Sequence, residues 1–146
     1  MRFYPKKTKA AILIKQNHPL IVDEISIPQT LLSGQVLVKI FYSGICGSQL
    51  GEITGAKGKD KHLPHLLGHE AMGEVIEVNS KVSKVKRGDS VLLHWMPSNG
   101  LSSLGPKYNW KGRLVNAGTI TTFNSYSIVS ENKLSKLKKN LINEKE

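Results

Sequence analysis

The residues most able to do chemistry here are Cys46, in Gly44-Ile45-Cys46-Gly47-Ser48, and His69 and Glu70, in Gly68-His69-Glu70. A thiolate is a soft, strong zinc ligand, and neutral imidazole ranks next. The three together predict a catalytic metal site. Such a site needs three protein ligands and one open position for water or substrate. Glu70 is the awkward member. Neighbours on a strand point to opposite faces, so His69 and Glu70 reach one metal only if the backbone turns there, which Gly68 permits. The opposing readings are plain. A lone cysteine is often a buried, inert small hydrophobe, and a lone histidine is often structural.

Elements must hold these residues in place. Lys9 to Lys15 and Leu20 to Ile27 are β-branched runs joined by the turn signal Asn17-His18-Pro19. Gln35 to Tyr42 is a strand entered through Ser33-Gly34. Ala71 to Asn79 is another, partly buried on both faces, and Gly88-Asp89 feeds Val91-Leu92-Leu93. Cys46 to Ile53 reads as a short, glycine-weakened helix. Gly55 to Lys61 is a polar loop. From Met96 to Gly112 the periodicity is lost to Pro, Ser, Gly and Asn, which predicts a long irregular lobe. Thr119 to Val129 returns to strand. The expected fold is mainly β: a partly open barrel with short helices and that lobe. No strand is followed by Gly-x-Gly-x-x-Gly, so no Rossmann dinucleotide fingerprint is present.

Composition narrows the function classes. At 146 residues, with 39% apolar and 22% charged content, the chain suits one domain with a real core. One cysteine excludes an internal disulfide and makes a reducing cytoplasm the default. No apolar run approaches a membrane span, and the N-terminal apolar stretch is too short for a signal peptide. The net charge of +10 raises the question of nucleic acid. Only Arg2, Arg87 and Arg113 are arginines, and the lysines are spread along the chain. Base and phosphate recognition favours arginine forks, so nucleic acid is set aside as a partner.

The ordered runs Gly44 to Ser48, Leu63 to Gly73, and Val85 to Val91, with Gly34 to Lys39 before them, resemble the zinc-dependent alcohol dehydrogenases, which are medium-chain dehydrogenase/reductases. The resemblance runs from about Lys9 to Leu137. It implies a GroES-like catalytic domain over residues 1–139, with the lobe at about 96–112 and a polar tail at 140–146. By the match, Cys46 and His69 are zinc ligands, and Glu70 lies beside the zinc and can enter its coordination sphere. Ser48 matches the hydroxyl that hydrogen-bonds the alcohol and relays its proton. The implied reaction is alcohol/aldehyde interconversion by hydride exchange with NAD(P).

Four departures qualify that likeness. Gln49 stands where the family usually has an Asp that orients the ligand histidine; it can still accept a hydrogen bond, but without charge. Gly51 stands where many members place a relay histidine. Proton exit would then use water or another route, with His62 and His65 as candidates, though both read better as solvated loop histidines. The lobe has Ser98, Ser102 and Ser103 but no cysteine, which rules out a structural zinc; Trp95, Tyr108 and Trp110 are expected to pack it instead. Finally, the family's remaining zinc ligand and its nicotinamide domain lie beyond the matched segment.

The catalytic site is therefore expected to be incomplete, and the chain alone inactive. NAD(P) would be used only with a missing or partner Rossmann domain. Partners would be such a chain, or a second copy through an exposed, partly apolar face. The alternatives are half of a split dehydrogenase, and a non-catalytic relic or interaction module with the same fold.

Overall fold

The computed structural model describes residues 3–138, so the expected tail at residues 140–146 lies outside them. The strands are β1 (Lys7–Leu13), β2 (Ile21–Ser26), β3 (Gln35–Ser43), β4 (His65–Leu66), β5 (Ala71–Val78), β6 (Ser90–Leu93), β7 (Lys107–Trp110), β8 (Arg113–Asn116), β9 (Tyr126–Ser130) and β10 (Leu134–Lys136). One α-helix, α1 (Gly47–Thr54), follows β3, and a 3₁₀ turn, Glu131–Lys133, precedes β10. Five strands close a barrel in the order β1-β2-β7-β8-β4, and five form a sheet in the order β10-β6-β5-β3-β9. This is the mainly β, barrel-based fold that the strand spacing predicts.

Side-chain alternation along β3 and β9 explains why two cores form. Leu37 and Ile128 pack into one cluster with Ile12, Ile25 and Tyr108. Val36, Val38 and Val129 face the other way, into a second cluster with Val75, Val91 and Leu134. A strand of period two that divides two cores must be apolar on both faces, and Gln35 to Val38 are all buried. Each large aliphatic side chain buried this way contributes about 1.5–3 kcal/mol. Strand β5 instead alternates, with Ala71, Gly73 and Val75 buried and their neighbours half-buried.

Three expectations need correction. The lobe is irregular only to Pro106; beyond that it holds the β7–β8 hairpin, with Lys111 (φ 51°) and Gly112 (φ 82°) forming its turn. Two successive positive φ values match the twist of a hairpin. The polar composition of the loop hid a strand anchored by one aromatic. Tyr108 is fully buried in the barrel core, and its hydroxyl accepts the Ile128 N–H at 2.9 Å. Burial pushes its pKa up to about 12. Trp110 donates its indole N–H to Asp23 (2.9 Å), while Trp95 is 60% exposed.

The second correction is that the strand expected from Thr119 begins only at Tyr126. Thr122 and Phe123 turn aside to donate their N–H groups to Leu67 O. Third, His65 is no solvated loop residue. It lies in β4, bonded to Asp60 (2.6 Å) and Leu66 O (2.9 Å), whereas His62 is exposed.

Carboxylates tie the irregular segments down. Glu131 is fully buried. It accepts N–H groups from Ser83 (2.8 Å), Lys84 (2.7 Å) and Leu101 (2.7 Å), so it pins the lobe to the sheet. Burial alone would raise its pKa, but those donors and the Lys84 charge hold it below the ordinary value.

Candidate active site

Strand register assembles the site. Strands β3 and β5 pair antiparallel, with Ser43 opposite Ala71. The chain leaving β3 therefore runs beside the chain entering β5, and Gly44 N–H donates to Glu70 O at 2.9 Å. A register irregularity between Ile40 and Tyr42 re-aims the end of β3. Residues far apart in sequence, Cys46 and His69, thus belong to adjoining loops at one end of the sheet.

Cys46 caps α1. Its backbone is extended (φ −114°, ψ 159°), its Sγ accepts the Ser48 N–H at 3.4 Å, and Gln49 Oε1 reaches back to the Cys46 N–H at 2.8 Å. This reciprocal arrangement is a capping box built on a thiol instead of a hydroxyl. Gln49 is 1% exposed, and its other amide atom, Nε2, lies 3.0 Å from His69 Nδ1. One buried side chain therefore joins the two expected ligands. The sequence leads one to expect an acceptor for the histidine at Gln49, but its oxygen is taken by the helix cap. No spacing rule shows this, because it depends on which loop lies opposite.

Glu70 is placed differently. Gly68 (φ 93°) takes the chain out of strand geometry before β5. His69 turns toward Gln49, and Glu70 stays exposed. The Glu70 carboxylate lies against Gly44, where any Cβ would collide with it. A cleft of about 740 Å³ opens beside these loops, with Gln49, His69, His65, Leu66 and Leu67 among its walls. Cys46, Ser48 and Glu70 are not part of that wall. Ile45 (74% exposed) and Leu50 (59% exposed) flank Cys46 as bare apolar surface.

The donor chemistry suits zinc; the donor number falls short. Cys46 and His69 supply sulfur and nitrogen. Among the described residues, however, no group of three or more His, Cys, Asp and Glu is placed to hold a metal. Also among the described residues, no helix is long and apolar enough to cross a membrane.

Residues 32–139 match the family described as the alcohol dehydrogenase GroES-like domain. A curated relative, D-arabinose 1-dehydrogenase (NADP(+)) of Saccharolobus solfataricus, is 37% identical over 89 residues, covering 60% of this chain and 25% of its own length. The NAD-dependent alcohol dehydrogenase of Sulfolobus acidocaldarius is 37% identical over 90 residues, 58% of this chain and 26% of its own. Among solved structures, the benzyl alcohol dehydrogenase of Acinetobacter calcoaceticus superposes with a TM-score of 0.74 at 21% identity, covering 94% of this chain and 43% of that one. At that identity the likeness is one of fold. The chain spans about a quarter of the length of these curated relatives.

Proposed function

Because the chain belongs to the alcohol dehydrogenase GroES-like domain family, we propose that it forms the catalytic domain of an oxidoreductase interconverting a small alcohol and its aldehyde. The observation that carries this reading is the Cys46–Gln49–His69 linkage, which holds a thiol and an imidazole at adjoining loops. Cys46 and His69 would hold a catalytic zinc, with Glu70 in reserve beside Gly44 and a further donor supplied from outside the described residues. Bound zinc supplies Lewis-acid polarisation of the substrate oxygen. In this reading Ser48, at the first turn of α1, hydrogen-bonds that oxygen and carries its proton.

Hydride exchange needs a nicotinamide, and residues 1–146 contain no dinucleotide-binding turn. We therefore assign cofactor binding to a separate Rossmann unit, in the same polypeptide or in a partner chain. Its docking would cover exposed Ile45 and Leu50. The free Cys46 fits a reducing, cytoplasmic setting.

Zinc content and turnover of purified residues 1–146 test the proposal. The expected result is zinc that is lost on Cys46→Ala, with negligible alcohol oxidation by either nicotinamide cofactor. Zinc content unchanged by Cys46→Ala would remove the metal role and leave a non-catalytic module. Robust turnover by these residues alone would remove the need for a second unit.

A further inference from the structure

Hydrogen-bond donors and acceptors around Gln49 leave only one arrangement of protons. The Cys46 N–H can only donate, so the amide atom 2.8 Å from it must be the Gln49 oxygen. The remaining amide atom is then the NH₂ group, which can only donate, and it faces His69 Nδ1 at 3.0 Å. Nδ1 must therefore accept, and the ring proton of neutral His69 sits on Nε2. Gln49 is 1% exposed, so its amide has almost no access to bulk water.

We propose that Gln49 is a positioning residue that locks His69 as the Nε2–H tautomer, and that this sets the metal affinity of the Cys46–His69 pair. The inference rests on the zinc reading above only for its second half. A histidine that ligates through Nε2 needs its proton on Nδ1, facing an acceptor. Here that proton would meet the Gln49 NH₂, donor against donor. Turning the amide over would set its NH₂ against the Cys46 N–H and break the helix cap. Ligation through Nδ1 would displace Gln49 altogether. Every route to metal binding thus gives up one of the two Gln49 bonds. The isosteric carboxylate removes the conflict: with Gln49→Glu, one oxygen keeps the Cys46 N–H and the other accepts Nδ1–H.

Long-range ¹⁵N–¹H spectra of residues 1–146, with His69 neutral and zinc absent, read the tautomer directly. The wild-type chain should show Nε2–H, and Gln49→Glu should show Nδ1–H. Competition with a chromophoric chelator, using zinc alone as probe, should give about 10–100-fold tighter binding for Gln49→Glu than for wild type. That gain should vanish in Gln49→Glu combined with Cys46→Ala. A wild-type Nδ1–H signal overturns the proposal whatever the zinc result, and needs no variant to fold. A switched tautomer with unchanged zinc affinity overturns the affinity half. Failure of every variant to bind zinc, with the wild-type Nε2–H confirmed, sinks the zinc reading while the tautomer assignment stands.

Discussion

Cys46 has two duties that substitution can separate. As helix cap it needs only an acceptor, which serine provides; as zinc ligand it needs a thiolate. Cys46→Ser should melt close to wild type, whereas Cys46→Ala should lose about 1 kcal/mol. Both should lose zinc. Thermal melting beside metal analysis checks the pair, and equal destabilisation of the two variants would deny the capping role. Glu131 is a second residue with a measurable task. Glu131→Ala strands three backbone N–H groups that the carboxylate now accepts. The expected loss is about 3 kcal/mol or more, since each buried unsatisfied donor costs about 1–3 kcal/mol. Urea unfolding measures it. A loss below about 1 kcal/mol would mean that water takes over the glutamate's role.

The β7–β8 hairpin is where local composition misled. Pro, Ser and Gly before it suggested continued loop, yet Tyr108 alternates inward while Asn109 stays out. The turn then depends on Gly112, at φ 82° in open space. Gly112→Ala should cost about 1–2 kcal/mol through backbone strain alone, read from the urea midpoint; no shift would mean that the turn relaxes to another type. Because β7 and β8 close the barrel between β2 and β4, lowered amide-exchange protection should appear at β4 as well. The helix that carries Cys46 is easier to read, because its cap and first turn are contiguous. His65 is the opposite case. Its partner Asp60 is near in sequence, but the burial that makes the pair matter comes from the fold around it.

For the whole molecule, pH acts through carboxylates bound more tightly when ionised. Burial alone would raise Asp89, Asp60 and Glu131. Hydrogen bonds outweigh it in each: Lys86 N–H and Lys136 at Asp89, His62 N–H and His65 at Asp60, and the three amides at Glu131. All three pKa values lie below their ordinary ones. Each group therefore adds stability that is fully present above the unfolded carboxylate range, about pH 4–4.5. That stability is lost as pH falls through the lower folded values. Protonation also adds positive charge to a chain already at +10. Urea midpoints should hold between pH 7 and 5 and fall below about pH 4.5. In Glu131→Gln the fall should be shallower; a slope matching wild type would assign the acid sensitivity to other groups.

The sequence by itself determined what repeats locally along the chain. The period-two runs produced most strands, and the glycine-flanked Cys46 segment produced a helix start. The ordered motifs around Cys46, His69 and Arg87 identified the family. These signals survive in one dimension because each arises from neighbours within a few residues. Only the tertiary structure decided that Ser43 lies opposite Ala71, which brings the Cys46 and His69 loops together. Only it decided that the Glu70 carboxylate lies against Gly44, and that Gln49 donates to His69 where acceptance was expected. The reason is geometric. A hydrogen bond's direction depends on what already occupies the other atom of the same amide, and the Cys46 N–H occupies it through the cap.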